Sequence, residues 1–265
     1  MLHAVLHGKA GRIEIDGQNQ SWRELFRQFE DLLTAVFVGR FQYLSDQGLT
    51  DVLDVLLDGV DVESLGKLDS IEYWPKHEGV EDRSFVEPDI VIRFSQAILL
   101  IEFKRPDGAQ SYLQWSDEMT ALLAQDEVEA KTNVVFLALG GVGSKWQEDA
   151  RVLKDSFSDV NLSVCAKNWG EVNDEIRTLS ETSDEKRDSC IYMDWLEAFQ
   201  LYGLRTKVQP YLALRSLYAY EDWRKLISLL PMLQNKPSRI FDGNPTWDQL
   251  FSFDPIDHEK VAAWK

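Results

Sequence analysis

Cysteine is scarce in this sequence, with only Cys165 and Cys190 among 265 residues. Two cysteines cannot build a disulfide framework or a four-thiolate zinc site. The sequence also lacks any run of about 18 apolar residues, so no membrane-spanning helix is expected. Residues 1–7 contain neither a basic stretch nor a long apolar core, so no secretory signal is expected. A cytoplasmic location is the resulting prediction.

Positive charge is also scarce, because 28 basic residues stand against 45 acidic ones and give a net charge of −17. Taken as a whole, such a surface repels nucleic acid. The charge is unevenly spread, however, since the segment from Gly203 to Ile240 has seven basic and two acidic residues. A polyanionic partner can therefore be accommodated only locally.

Hydrophobic periodicity and β-rich runs predict a mixed α/β domain over residues 1–180, followed by a mostly helical extension over residues 181–265. The first long helix is predicted from Ser21 to Leu44, with Ser21 and Glu24 at capping-box spacing. Further helices are expected near 50–69, 109–125 and 170–179, and strands near 71–74, 89–94, 97–104, 134–139 and 161–166.

Two carboxylates and a lysine are predicted to share one face of the sheet. If Ser95 and Gln96 form a two-residue hairpin loop, Asp89 lies directly opposite Glu102, with the side chains about 5 Å apart. Strand alternation places Lys104 on the same face. The carboxylates repel each other, and a hard cation such as Mg²⁺ would turn the repulsion into attraction. Ordinary solvated strand ends are the alternative interpretation.

The motif Pro88-Asp89…Glu102-Phe103-Lys104 resembles the signature of the PD-(D/E)XK nuclease superfamily, which has the restriction-endonuclease-like fold. The resemblance implies a mixed β-sheet core flanked by helices and hydrolysis of phosphodiester bonds, in particular of DNA, with Mg²⁺ or Mn²⁺ as cofactor. It implies that Asp89 and Glu102 bind the metal together with the Phe103 carbonyl. Lys104 would position the attacking water.

The resemblance covers residues 21–179 and implies two further site residues. The first helix of this fold often donates an acidic residue to the metal. Glu30 and Asp31 are the candidates, and Glu30 is preferred because its neighbour Phe29 is expected to be buried. A glutamine on the helix after the lysine strand often faces the site. Gln110 and Gln114 are predicted to share a helix face; the sequence leaves the choice between them open, and Gln114 is the preferred candidate.

The C-terminal extension interleaves aromatic rings with the cations Arg215, Arg224 and Lys225, a combination that suits single-stranded or distorted nucleic acid. A helical subdomain with solvated cations is the alternative. The acidic remainder of the chain suggests that a protein partner or self-association brings the chain to DNA. Residues 102–106 also resemble motifs in nucleases of bacterial antiphage and restriction systems, and a repair system is a further possibility.

Two other functions remain open from the sequence. One is a catalytically inactive nuclease fold that serves as a binding or regulatory subunit. The other is an acidic protein that mimics DNA, although that function gives no reason for Lys104 to accompany the carboxylates. Retained metal binding would separate the nuclease from the inactive fold, and competition with DNA for a host protein would indicate the mimic.

Overall fold

A computed structural model of the chain describes residues 2–15, 17–78, 85–125 and 133–204. Two short 3₁₀ helices, Phe41–Tyr43 and Val62–Leu65, accompany the regular elements. The helices are α1 (Leu2–Leu6), α2 (Trp22–Gln28), α3 (Glu30–Val38), α4 (Asp46–Leu56), α5 (Tyr112–Leu123), α6 (Trp146–Ser156), α7 (Trp169–Thr182) and α8 (Lys186–Leu201). The strands are β1 (Arg12–Ile15), β2 (Gln18–Ser21), β3 (Leu68–Tyr73), β4 (His77–Glu78), β5 (Phe85–Val86), β6 (Ile90–Phe94), β7 (Ala97–Phe103), β8 (Asn133–Leu139) and β9 (Asn161–Lys167).

The main sheet is mixed and has five strands in the order β3-β6-β7-β8-β9. The first three strands pair antiparallel, whereas β7, β8 and β9 pair parallel. Every residue of β7 is buried, and so is nearly all of β8. Strands covered by helices on both faces read as continuous apolar runs, which is why these two were visible in the sequence. The predicted α/β class is confirmed.

Alternation along β7 divides its side chains between two hydrophobic cores. Leu99, Ile101 and Phe103 face the larger core, which is completed by α3, α4, α7 and α8. Ile98 and Leu100 face a smaller core, which is covered by α5 and α6. The sheet is therefore sandwiched between helical layers, and Glu102 lies on the face of the smaller core.

The predicted helix from Ser21 to Leu44 is broken at Phe29. Ser21 and Glu24 do form the expected capping box at the start of α2. Phe29 has extended backbone angles. It is the residue at which α2 ends and after which α3 begins. The predicted apolar stripe is therefore interrupted at this residue. The expectation that Phe29 is buried is wrong, because its side chain is 50% exposed.

Other boundaries also differ from the prediction. The expected helix near 50–69 ends at Leu56, and Gly59 adopts a positive φ of 77° before the 3₁₀ turn at Val62–Leu65. The β1–β2 hairpin and helix α6 were not predicted. The five predicted strands correspond to β3, β6, β7, β8 and β9.

Helix α8 packs against the main domain. Trp195 and Phe199 are buried, and their rings contact that of Phe37 on α3. The boundary predicted at residue 180 therefore falls inside a continuous core, and the first compact unit extends to Thr206. Residues 205–265, with Arg215, Arg224 and Lys225, lie outside the described part of the chain. Within that part, no helix is long and apolar enough to cross a membrane.

Candidate metal centre

The β6–β7 hairpin has the predicted register. Ile90 pairs with Ile101, so Asp89, one residue before β6, falls at the level of Glu102. The Asp89 carboxylate Oδ2 accepts a hydrogen bond of 2.8 Å from the backbone N–H of Phe103. This bond ties the first carboxylate to the neighbouring strand and orients it toward the end of β7.

Three carboxylates converge at this point. Glu30, Asp89 and Glu102 each offer an oxygen, and these atoms lie within 4.8 Å of one another. Glu30 is the first residue of α3, and its Oε2 accepts a 2.8 Å hydrogen bond from the backbone N–H of Arg105. Asp31 is exposed and stays outside the group. Glu30 was preferred in the sequence because its neighbour Phe29 was expected to be buried. Its position in the site instead follows from the helix break at Phe29.

Lys104 lies against the carboxylates. Its Nζ donates to Glu102 Oε1, to Glu30 Oε1 at 3.3 Å and to the Phe103 carbonyl at 2.9 Å. The lysine side chain is 17% exposed, so these contacts are only weakly screened by water. The Phe103 carbonyl thus points to the lysine side of the group. Its role as a metal ligand stays a prediction.

Backbone contacts hold Lys104 where β7 ends. Its N–H donates to the Leu139 carbonyl at 2.8 Å, and its own carbonyl accepts from the Trp169 indole at 2.7 Å. Gly140 has a φ of 81°, and a Cβ at this position would collide with the Lys104 carbonyl and the Trp169 ring. The glycines after β8 therefore permit this close packing. Gln110 adds a donor to the Gly140 carbonyl.

The two candidate glutamines do not share a helix face, because α5 begins at Tyr112 and Gln110 precedes it. Gln110 nevertheless contacts the backbone of the site, since its Nε2 lies 3.3 Å from the Glu102 carbonyl. Gln114 reaches the carboxylate itself, with Nε2 at 2.7 Å from Glu102 Oε1. Gln114 is thus the glutamine that contacts the Glu102 side chain.

Glu118 is a residue of the site that the sequence analysis missed. It is 1% exposed and accepts a 2.9 Å hydrogen bond from Gln114 Nε2 at its Oε1. Its spacing of four residues from Gln114, on a helix that buries Trp115 and Met119, is the signal that was available. Among the described residues, no other group donates a hydrogen bond to Oε2 of Glu118 or to Oε2 of Glu102, and the two carboxyl groups interact directly with each other.

Burial and mutual repulsion keep these acids from ionising readily. Burial first, and then the Glu102 carboxylate, raise the pKa of Asp89 to about 8. Burial and the Glu118 carboxylate raise the pKa of Glu102 to about 9. Burial also raises the pKa of Glu118 to about 7.

Lys104 responds in the opposite sense to its neighbours. Burial acts to lower the pKa of the Lys104 amine, but the carboxylates of Glu102 and Glu30 outweigh it and raise that pKa above its usual value. Lys104 is therefore a stable cation at neutral pH.

The donor set fits a hard divalent cation. Three carboxylates from separate elements provide only oxygen ligands, the type that Mg²⁺ and Mn²⁺ prefer. A cation that replaces the protons of buried, mutually repelling carboxylates stabilises them. The orphaned Oε2 of Glu102 points to the same need for a positive partner.

Comparison with known proteins adds one relative. No model of a protein family matches the chain, and no solved structure matches it. The chain is 32% identical over 169 residues to the uncharacterized protein PM0110 of Pasteurella multocida (strain Pm70). The match covers 60% of this chain and 60% of that protein's length.

Proposed function

We propose that the chain is a metal-dependent nuclease of the PD-(D/E)XK type, with a restriction-endonuclease-like fold, and that it hydrolyses phosphodiester bonds, in particular those of DNA. The observation that carries the proposal is the convergence of Glu30, Asp89 and Glu102 within 4.8 Å, with Lys104 in contact with two of them. Neither a solvated strand end nor a purely structural sheet benefits from this arrangement.

The sheet supports the proposed fold. Its β6–β7 hairpin presents Asp89 and Glu102 side by side. On its other edge, β7 pairs parallel with β8. Helix α3, which lies far from the hairpin in the sequence, contributes Glu30. The signature residues are thus supplied by the same types of element that the resemblance implies.

Glu30, Asp89 and Glu102 would hold Mg²⁺ or Mn²⁺, with the Phe103 carbonyl as the further ligand that the resemblance implies. The bound ion would polarise a phosphoryl oxygen and lower the pKa of a bound water. The protein's part is to hold the carboxylates in place. The bond from the Phe103 amide to Asp89 and the bond from the Arg105 amide to Glu30 serve this purpose.

Lys104 would act as a cation rather than as a base, because the raised pKa of its amine keeps it protonated. An ammonium with three donors can orient an attacking water and stabilise the negative charge that develops on the phosphoryl group. Gln114 holds Glu102 in place and leaves the chemistry to the metal and the lysine. Hydrolysis of this kind requires no covalent intermediate.

The substrate and the setting are further parts of the proposal. A DNA substrate, a role in a bacterial antiphage, restriction or repair system, and a protein partner or self-association are proposed on the resemblance and on the charge distribution. The net charge of −17 disfavours unaided binding to DNA. Arg215, Arg224 and Lys225 are the proposed nucleic-acid contacts.

The test is cleavage of supercoiled plasmid, linear duplex and single strands by the full-length chain with Mg²⁺ or Mn²⁺, beside an EDTA control. Asp89→Asn and Lys104→Met are the site variants, and Glu148→Gln, an exposed acid on α6, is the matched control. We expect metal-dependent cleavage that both site variants abolish and the control retains.

Other outcomes separate the alternatives. Cleavage that survives both site variants would assign the activity to another site or to a contaminant. If nothing is cut, a calorimetric Mn²⁺ titration decides. Binding that is weakened in Asp89→Asn would then point to a nuclease that requires a partner, and no binding would refute the metal centre.

A further inference from the structure

Glu118 is a buried acid for which the proposed hydrolysis has no use. It is 1% exposed, Oε1 accepts a hydrogen bond from Gln114, and no other described residue donates to Oε2. Its carboxyl group also interacts with that of Glu102. A buried carboxylate that is incompletely hydrogen-bonded destabilises the fold. Residues that break packing rules in this way are expected where a function compensates for the loss of stability. Its position behind Glu102 indicates which function that is.

The Gln114 amide links the two acids. Its Nε2 lies 2.7 Å from Glu102 Oε1 and 2.9 Å from Glu118 Oε1, so each amide hydrogen has its own acceptor. If the amide were turned over, its carbonyl oxygen would face two carboxylates and both would lose a donor. Glu118, four residues further along α5, therefore fixes the orientation of the amide.

The fixed amide in turn restrains Glu102. Oε1 of Glu102 has two donors, Gln114 from α5 and Lys104 from the end of β7. Donors from two different elements leave the carboxylate little freedom to rotate. Removing the anchor of Gln114 releases one of these restraints. Glu118 also interacts directly with the Glu102 carboxyl, so the test must separate the route through Gln114 from this direct contact.

We propose that Glu118 is a positioning residue: it anchors the Gln114 amide, which holds the Glu102 carboxylate in the orientation that binds the divalent cation. This inference rests on the proposed metal site. Partners placed behind metal ligands typically change metal affinity by about 10–100-fold when they are removed. The effect should therefore be visible in binding, without any measurement of cleavage.

The experiment is a calorimetric titration of the full-length chain with Mn²⁺, together with thermal unfolding in EDTA. In Glu118→Met the acceptor is lost at similar volume, and Mn²⁺ affinity should fall about 10-fold or more. The unfolding temperature should stay or rise, since an apolar group replaces a buried carboxylate. Glu118→Gln retains a carbonyl acceptor for Gln114 and should keep most of the affinity. Glu148→Gln is the control on charge.

A second variant tests the route. If Glu118 acts through Gln114, Glu118→Met should have little further effect in a Gln114→Met background, because the two changes are not additive. A full additional loss in that background would overturn the inference. So would wild-type affinity in Glu118→Met, and a loss in Glu118→Gln as large as in Glu118→Met would assign the effect to charge. Absence of Mn²⁺ binding by the wild-type chain would instead refute the metal site itself.

Discussion

Binding of a divalent cation should release about two protons near pH 6.5. Metal-free Asp89 has a pKa of about 8 and Glu102 one of about 9, so both carboxyls are protonated at that pH. A cation must displace these protons in order to bind to the oxygens. Lys104 keeps its proton, because the pKa of its amine is raised.

The size of the effect follows from the same values. Below about pH 7, each unit of pH should raise the Mn²⁺ association constant about 100-fold, since two protons compete with the metal. Between the pKa values of about 8 and about 9 the gain should fall to about 10-fold per unit. Above the pKa of Glu102 the affinity should no longer change with pH.

Calorimetry in two buffers of different ionisation enthalpy measures the number of protons released directly. In Asp89→Asn, which has no proton to lose at this position, the number should fall from about two to about one. In Glu148→Gln it should stay the same as in the wild type. Tight binding without proton release would refute the reasoning, because the carboxylates would then be ionised before the metal arrives.

Two further predictions concern stability. At Asp89 and Glu102 the folded chain binds more protons than the unfolded chain at every pH between the ordinary carboxyl pKa and the raised values. In EDTA, the unfolding temperature should therefore fall as the pH rises from about 6 to about 9. A rise would contradict the raised pKa values. Mg²⁺ should raise the unfolding temperature most at the alkaline end of this range. Gly140→Ala forces a side chain into a left-handed conformation, which destabilises the fold by about 1–3 kcal/mol, or about 2–12 °C in unfolding temperature. Gly143→Ala, where a Cβ has open space, should unfold like the wild type, and equal stability of both variants would refute the packing argument.

The part of the site that is local in the chain could be predicted from the sequence alone. Glu102 lies on β7, and Asp89 and Lys104 directly adjoin the two strands of the β6–β7 hairpin, so the hairpin register and strand alternation place them without knowledge of the rest of the fold. The buried strands β7 and β8 were likewise predicted from their continuous apolar runs. The α/β class follows from these elements.

Which distant residues join that hairpin depends on tertiary packing and could not be predicted from the sequence. Glu30 reaches Lys104 across 74 positions because α2 ends at Phe29, a break that no glycine or proline marks. Glu118 became visible through burial beside Gln114. Periodicity shows which face of a helix is apolar, but not which element covers it or which polar group lies behind that element. Those choices depend on packing between segments far apart in the sequence, as the burial of α8 in the main core also illustrates.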